Sequence, residues 1–284
     1  MASADNPDTH NRETDMTQDV RFADRVLVTL KDRVAHVELD RPAKLNAIDP
    51  AMFEGLLEAA DHVSGRSDIR AVVLSGRGRM FCAGLDFGSF AAMAGDTAAL
   101  DPLEKRTHGL TNKPQQACLQ WRDLPVPVIA AIQGGALGGG LQIALGADIR
   151  LVTPDARLSI AEIRWGLVPD MGGCVVLPGL MRDDQIRELT YSGRDVTGAE
   201  AVELGLATRV SDDPVVEALA MAAAIANKSP SAIRGAKRLL NVAASADPAT
   251  VLLAESREQA ALMGKADQVE TVMAHMEKRE PVFD

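Results

Sequence analysis

Apolar and polar residues alternate along the first predicted elements of the chain. Residues 26–30 and 34–39 both show this period of two, and a charged run separates them, so the pattern predicts a β-hairpin. Two later runs, residues 68–75 and 128–132, are rich in β-branched side chains and predict buried strands. His36 alternates with apolar neighbours in the hairpin, which favours a place on the strand face over a role as a base.

The spacing of apolar residues becomes helical in two parts of the chain. Residues 51–63 follow Asp49 and Pro50, a helix cap and a first-turn proline, and predict an amphipathic helix. After residue 180 the helical pattern is nearly continuous and rich in alanine. Such a region has little core of its own, and its small-residue faces become buried against a neighbour. The predicted helices there cover residues 183–192, 198–204, 213–225, 231–243, 249–262 and 267–278.

A glycine-rich turn lies between the strand at 128–132 and the apolar run at 141–145. Glycines occupy all of residues 138–140, so the first N–H groups of a helix beginning there are open to a ligand. The turn has no G-x-G-x-x-G pattern, and Leu141 stands where a phosphate-binding loop needs lysine. An N–H pair at a helix start favours a developing negative oxygen. The residues alone therefore leave two interpretations, a ligand site and close packing of helix on sheet.

Composition and charge exclude several classes of protein. The 284 residues, 46% of them hydrophobic, suffice for one main domain with an appendage, and the net charge of −10 argues against a nucleic-acid partner. The three cysteines, Cys82, Cys118 and Cys174, are odd in number and widely spaced, which predicts a reducing, cytoplasmic location without disulfides or a zinc site. Cys82 is expected to be a small buried thiol.

No membrane segment is predicted. Residues 126–147 carry no charge, but six glycines, Pro127 and two glutamines favour a close-packed core over lipid. Residues 1–19 are polar and lack an apolar run, so we expect a disordered tail and neither a signal peptide nor an anchor.

Five segments in order resemble the crotonase (enoyl-CoA hydratase/isomerase) superfamily. The resemblance implies an α/β fold in which repeated β-β-α turns form a right-handed spiral, followed by a C-terminal α-helical oligomerisation region. It divides the chain into the tail at 1–19, a spiral core with the acyl-CoA site at 20–200, and a trimerisation region at 201–284. The matching segments are residues 126–173, RPAKLNA at 41–47, FCAGLD at 81–86, ADIR at 147–150 and KREPVF at 278–283.

The family's chemistry, carried over by position, implies a site that holds the oxygen of an acyl-CoA thioester. Its two backbone N–H donors are expected from Leu85 and Gly139, where they stabilise the enolate that forms when a proton leaves the neighbouring carbon. Neither a metal nor a separate cofactor is implied, because coenzyme A is part of the substrate. The implied substrate contacts come from Ala43, Lys44, Ala83, Asp86, Phe87 and Gln142.

The acidic residues decide between reactions. The two glutamate positions of the family's hydratases carry Gln142 and Glu162 here, and the amide of Gln142 takes up no proton at neutral pH. Asp170 follows Glu162 by eight residues, a spacing that resembles the dienoyl-CoA isomerases, although those carry an acid in place of Gln142. The expected function is a double-bond shift by proton transfer between Glu162 and Asp170. Which of them is base and which acid stays open.

Several alternatives remain open at this stage. The protein could be an enoyl-CoA hydratase in which Glu162 acts on a water oriented by Gln142, an isomerase using Glu162 alone, or a non-catalytic acyl-CoA-binding homologue. Asp170 could be only a turn residue, and Glu162 only a surface residue. Residues 87–123 are expected either to cover the acyl pocket or to pack on the domain, and packing is preferred.

Two further predictions concern the C-terminal region: its role in oligomer formation and the role of its basic residues. The resemblance implies a homotrimer or a hexamer assembled through the C-terminal helices. Lys237, Lys278 and Arg279 could reach the phosphates of coenzyme A, but the preferred interpretation for each is a solvated charge.

Overall fold

The computed structural model describes residues 18–86, 88 and 103–283, which form a mixed α/β fold. A seven-stranded sheet has the order β1-β2-β3-β4-β5-β7-β10, and a second sheet has the order β6-β8-β9. The first two pairings of the large sheet are antiparallel, and the remaining ones are parallel. The strands are β1 (Gln18–Phe22), β2 (Val26–Lys31), β3 (Val34–Leu39), β4 (Ala71–Gly76), β5 (Val128–Ile132), β6 (Gly135–Leu137), β7 (Ile149–Val152), β8 (Arg157–Ser159), β9 (Val196–Thr197) and β10 (Arg209–Val210).

Ten α-helices lie in the described part of the chain, and proline at the first turn begins half of them. Short 3₁₀ turns lie at Pro42–Lys44 and Glu162–Trp165, each between a strand and a helix, and at Leu177–Gly179, between two helices. The helices are α1 (Pro50–Ser64), α2 (Lys113–Asp123), α3 (Gly139–Leu145), α4 (Gly173–Val176), α5 (Asp183–Ser192), α6 (Gly198–Glu203), α7 (Pro214–Ala226), α8 (Pro230–Ala243), α9 (Pro248–Leu262) and α10 (Ala266–Glu277).

The spiral predicted from the resemblance is confirmed by the strand order. The chain passes from β5 in the large sheet to β6 in the small sheet, through α3, and back to β7 beside β5. β8 then pairs in parallel with β6, so each turn of the chain adds one strand to each sheet. Because equivalent turns stack in register, the loops that follow the strands lie next to one another at one edge.

The core has two layers, one on each face of the large sheet. β4 and β5 are buried at every position, as expected for parallel strands covered on both faces. Consecutive residues of a strand point to opposite faces of the sheet. Val72 packs toward α1 and the buried Trp121, whereas Val73 packs against α7. The site therefore rests on a sheet whose two faces are both covered.

The structure refines the predicted boundaries of the chain's parts. Gln18 and Asp19, the last residues of the predicted tail, belong to β1, and residues 1–17 lie outside the described residues. The division at residue 200 falls inside α6. Beyond it, β10 extends the large sheet, and α7 covers one face of that sheet. The first part of the predicted C-terminal region is thus packed into the spiral core.

Lys237 on α8 corrects the prediction of a solvated charge. Its side chain is only 5% exposed, and its Nζ donates to the carbonyl oxygens of Trp121 (3.1 Å) and Val126 (2.7 Å) and to Asp148 Oδ2 (2.9 Å). Desolvation lowers the pKa of Lys237, and Asp148 opposes that shift. The lysine holds α8 against the start of β5. Lys278 and Arg279 are exposed, as predicted.

His36 and the cysteines occupy the kinds of position that the sequence predicted. His36 Nε2 lies 2.8 Å from Ser75 Oγ on β4, and burial lowers the pKa of the imidazole to about 4. Cys82 and Cys118 are buried and Cys174 is exposed, and all three are free thiols. Burial raises the pKa of Cys82 to about 12, so its thiol is unsuited to nucleophilic chemistry. Across residues 18–86, 88 and 103–283, none of the helices has the length and apolar character needed to cross a membrane.

Candidate active site

The first wall of the site is the loop from Phe81 to Asp86, which lies between two neighbouring segments. Cys82 N donates to Gly135 O (3.2 Å), and Leu137 N donates to Cys82 O (3.0 Å), so the start of the loop is bonded to β6. Further along, Ile48 N donates to Gly84 O (2.8 Å), and Asp86 N donates to Ile48 O (2.9 Å). Ile48 is thus bonded to the carbonyl group before Leu85 and to the N–H group after it. In a pairing of this kind, the N–H of Leu85 itself points away from Ile48.

Gly84 allows the two predicted donor loops to approach closely. Its φ is +88°, and a Cβ atom built on it would lie 2.7 Å from Leu137 O and 3.8 Å from Gly139 N. Any larger residue would both adopt a strained backbone and push the two loops apart. Gly139 is similarly enclosed, since its Cβ would lie 2.9 Å from Met171 Sδ. The glycines thus explain why the N–H groups of residues 85 and 139 come from adjacent backbone segments.

The N–H groups of Leu85 and Gly139 have no hydrogen-bond acceptor among the described residues. Gly139 is the first residue of α3, where intrahelical acceptors are lacking, and Gly138 N before it already donates to Ser159 O (2.9 Å). Two unpaired backbone donors on adjacent segments are the arrangement that a developing oxyanion requires. The role of Leu85 and Gly139 as its donors stays a prediction.

Glu162 and Gln142 form the second wall. Glu162 begins the 3₁₀ turn after β8, Gln142 lies on α3, and the two side chains are 8% and 3% exposed. Gln142 Nε2 donates to Glu162 Oε1 at 2.7 Å. Glu162 Oε2 is buried and has no hydrogen-bond partner in the described part of the chain. One oxygen of the carboxyl is therefore held, and the other is available to a reacting group.

The pKa of Glu162 is raised above the usual range of a glutamate. Desolvation by burial is the main cause, and the negative charge of Asp170 adds to it. The hydrogen bond from Gln142 and a backbone hydrogen bond favour the ionised form and act in the opposite direction. Because its pKa is raised, this carboxyl keeps its proton to a higher pH than an exposed glutamate does, which suits a group that exchanges protons with a substrate.

Asp170 lies close enough to Glu162 for its charge to act on the Glu162 carboxyl. Its side chain reaches solvent, yet the protein atoms around its carboxyl raise its pKa through desolvation. The structure thus brings together the two carboxyls that were predicted to exchange the proton. Both have pKa values shifted in the same direction.

The remaining predicted substrate contacts are distributed around the first wall. Ala43 and Lys44 are exposed in the Pro42–Lys44 turn, and Ala83 and Asp86 are half-buried on either side of Gly84 and Leu85. Ala83 N donates to Leu45 O (3.0 Å), which joins the turn to the loop. Phe87 lies outside the described residues. Residues 89–102 of the region at 87–123 are also outside them, and α2 forms the end of that region.

Arg41 is a supporting residue that the sequence did not single out. Its Nη1 donates to Asp86 Oδ2 (2.7 Å) and to Ala47 O (3.0 Å), and its Nη2 lies 3.5 Å from Asp49 Oδ2. Asp49 also caps α1 through Met52 N (2.8 Å) and is held by Arg25. The arginine therefore fixes the first wall to α1. The Arg-Pro pair at the start of the RPAKLNA segment was the available signal in the sequence, but Asp86, the partner of Arg41, lies 45 residues away.

In the part of the chain that the structure covers, no cluster of three or more His, Cys, Asp or Glu side chains is arranged to hold a metal ion. The site that the structure assembles consists of backbone N–H groups on one side and carboxyl and amide groups on the other. This set of groups can stabilise an oxyanion and transfer a proton beside it.

Comparison with known proteins identifies a matching family and several relatives of the chain. The family model described as enoyl-CoA hydratase/isomerase matches residues 29–284. The mitochondrial Δ(3,5)-Δ(2,4)-dienoyl-CoA isomerase of Mus musculus is 35% identical over 282 residues, covering 95% of this chain and 84% of that protein. The crystal structure of an enoyl-CoA hydratase from Bacillus anthracis has a TM-score of 0.81 and 29% identity, covering 91% of this chain and 98% of that one. An enoyl-CoA hydratase from Mycobacterium tuberculosis H37Rv has a TM-score of 0.78 and 30% identity, with 92% and 98% covered.

Proposed function

The chain belongs to the enoyl-CoA hydratase/isomerase family, and we propose that it shifts the double bonds of a dienoyl-CoA thioester. The observation that carries this proposal is the pair formed by Glu162 and Asp170. Two carboxyls with raised pKa values lie near each other, and the position that would supply a second hydratase glutamate holds Gln142. The mouse relative named as a dienoyl-CoA isomerase supports the same choice.

The proposed reaction needs two proton transfers and no net change of charge. One carboxyl removes a proton from C2 of a 3,5-dienoyl thioester, and the electron pair moves onto the thioester oxygen, which gives a trienolate. The N–H groups of Leu85 and Gly139 stabilise this oxygen. The other carboxyl then delivers a proton to C6, which leaves a 2,4-dienoyl thioester. Exchange of protons with water restores both carboxyls.

Hydration of a 2-enoyl-CoA is the second candidate function. Glu162 Oε2 is buried without a partner among the described residues, so it is available to take a proton from a water molecule. Gln142 Nε2 carries a second N–H that could orient this water, because only one of its hydrogens is needed for Glu162. The two hydratases with similar structures make this function a direct competitor.

An absorbance assay separates the two functions. The purified protein is mixed with 3,5-dienoyl-CoA and, separately, with 2-enoyl-CoA of several chain lengths. Isomerisation produces an extended conjugated thioester and raises its absorbance, whereas hydration removes the conjugated signal. No change with either substrate, while acyl-CoA still binds, would favour a non-catalytic acyl-CoA-binding protein.

Replacing Asp170 with asparagine tests the second carboxyl. We expect Asp170→Asn to lower kcat for dienoyl isomerisation by about 10²–10⁴, the usual contribution of a general acid or base, and to leave any hydration largely unchanged. Asp184→Asn is the matched control, since Asp184 is an exposed aspartate on α5 that pairs with Arg182 just before the helix. If isomerisation survives in Asp170→Asn at the rate of the control, Asp170 is only a turn residue.

The oligomeric state is also a proposal. Val269, Val272, Met273 and Met276 on α10 follow the helical spacing i, i+3, i+4, i+7, and all four are 43% exposed or more in the single chain. An apolar stripe of this kind is suited to burial against a second copy. We propose a trimer or a hexamer, whose mass sedimentation velocity would measure.

A further inference from the structure

Gln142 contacts both segments that carry the proposed carboxyls. Its Nε2 donates to Glu162 Oε1 at 2.7 Å, as described above. On the other end of the amide, Oε1 accepts from Met171 N at 2.9 Å and from Gly173 N at 3.0 Å. The side chain is 3% exposed, so these contacts are shielded from water. One buried amide thus joins α3, the turn of Glu162 and the segment after Asp170.

The two backbone donors determine which way the amide is turned. An N–H group only donates, so the end of the amide that faces Met171 and Gly173 must be its oxygen. The NH₂ end must then face Glu162. The backbone at 171–173 is shaped for this contact: Gly172 has a φ of +95°, and a Cβ on Gly173 would lie 3.0 Å from Gln142 Oε1. Gly173 is therefore explained by the close approach of the amide, and Gly172 by its left-handed backbone and by Leu119, whose side chain would lie 2.8 Å from an added Cβ.

We propose that Gln142 is a positioning residue that fixes the carboxyls of Glu162 and Asp170 relative to each other, and that its neutral amide makes Glu162 the base of the pair. This inference rests on the function proposed above. The amide occupies Glu162 Oε1 and leaves Oε2 as the oxygen that takes the proton. The same side chain anchors Met171, the residue next to Asp170. A donor on Oε1 favours the ionised carboxylate, which is the form a base needs.

An acid at position 142 would reverse this effect. Two carboxylate oxygens 2.7 Å apart share a proton, because like charges so close are not both ionised. In this chain the N–H groups of Met171 and Gly173 would favour the ionised form of the new acid. The proton would then lie on Glu162, and Glu162 would act as a base only at a higher pH. Among the described residues, Asp170 is the other charged group that acts on Glu162. Arg164 on the same turn points to Asp195, at 2.6 Å.

The test follows the protonation of Glu162 directly and needs no substrate. Difference infrared spectroscopy records the C=O stretch of protonated carboxyls as a function of pH, and the signal that disappears in Glu162→Gln belongs to Glu162. We expect Gln142→Met to raise the midpoint of this titration. For Gln142→Glu, the infrared signal of Glu162 is identified by comparison with the double variant Gln142→Glu/Glu162→Gln. The pair of carboxyls in Gln142→Glu should take up its proton at a pH at least about one unit above the midpoint of Glu162 in the unmodified protein. Gln120→Met is the control, because it removes another buried amide, whose Nε2 donates to Leu56 O (3.1 Å).

Kinetics provide a second readout. If Glu162 is the base, the acidic limb of the profile of kcat/KM against pH moves to higher pH in Gln142→Met and in Gln142→Glu. In each variant this shift equals the shift of its infrared midpoint. Activity lost at neutral pH then returns as the pH rises. A purely structural role would lower kcat by a constant factor at every pH. The proposal is wrong if the infrared midpoints of Gln142→Met and Gln142→Glu equal that of Gln120→Met, or if the alkaline limb moves instead. If the midpoints rise but no variant or parent acts on dienoyl-CoA, the positioning role stands and the proposed reaction fails.

Discussion

The two walls of the candidate site differ in the groups that they present. The first presents backbone N–H groups and is called the backbone wall here, and the second presents side chains and is called the side-chain wall. On one side, the N–H groups of Leu85 and Gly139 are backbone groups, held by the pairing of their loops with β6 and Ile48. On the other side lie side chains: the carboxyls of Glu162 and Asp170, which are the proposed reacting groups, and the amide of Gln142, which bonds to Glu162. The backbone wall depends on where the chain runs, whereas the side-chain wall depends on which residues it carries. We therefore expect the first wall to set the class of substrate and the second to select the reaction.

The two walls also differ in their response to pH. A backbone N–H does not titrate, so the backbone wall is the same at any pH at which the protein is folded. Burial raises the pKa values of both carboxyls on the other wall, so their protonation changes closer to neutral pH than that of exposed acids. Variants that change one wall at a time test this division.

The largest effect is expected from the side-chain wall. Replacing Glu162 with glutamine keeps an acceptor for Gln142 Nε2 but removes the proton-transfer group. We expect Glu162→Gln to lower kcat by about 10²–10⁴ and to change KM little, because substrate binding uses the other wall. Glu188→Gln is the control, since Glu188 is half exposed and pairs with Arg194 on the surface. Activity of Glu162→Gln within tenfold of the control would show that the chemistry lies elsewhere.

A smaller effect is expected when the backbone wall is widened. In Gly84→Ala the added methyl group would lie 2.7 Å from Leu137 O, so the two donor loops must separate. Loss of one oxyanion donor lowers kcat by about 10²–10³. The shape of the profile of kcat against pH should stay the same, in contrast to changes at Gln142.

Gly109→Ala is the control that distinguishes the effect of moving the two loops apart from the effect of backbone strain. Gly109 also has a positive φ, +64°, but no atom lies within 4 Å of its Cβ position. Both variants carry the strain of a left-handed residue, of about 1–2 kcal/mol, which thermal melting would show. If Gly84→Ala and Gly109→Ala have the same kcat, the close approach of the loops has no part in catalysis.

Local patterns in the sequence predicted most of the elements. The helix at 183–192 was predicted with the bounds that the structure shows, and the hairpin of β2 and β3 is confirmed. β1 was missed because Gln18–Phe22 is an edge strand with polar residues at most positions. The short strands of the small sheet gave little signal, since a strand of two or three residues has too few positions to show a period.

Contacts between distant residues were harder to predict. Lys237 looked like a solvated charge because its carbonyl partners, on Trp121 and Val126, are more than a hundred residues away. The resemblance placed Gln142 and Glu162 in one site, but it predicted neither the hydrogen bond between them nor the two N–H donors at 171 and 173. Backbone groups leave no mark in the sequence beyond the glycines that make room for them. The chemical groups of the site were therefore predictable, and their hydrogen-bond partners were not.

The smallest effect is expected at Leu85, and it gives the sharpest test of the difference between the walls. Only its N–H is assigned a role, so Leu85→Ala should keep kcat within about threefold of the unmodified protein. Leu85→Pro removes the N–H while keeping an apolar side chain, and should lower kcat by about 10²–10³. Circular dichroism and melting would confirm that both variants fold, and steady-state rates on the best substrate would compare them. Equal rates for the two variants would mean that residue 85 acts through its side chain or not at all, and the backbone wall would have to be assigned to other N–H groups.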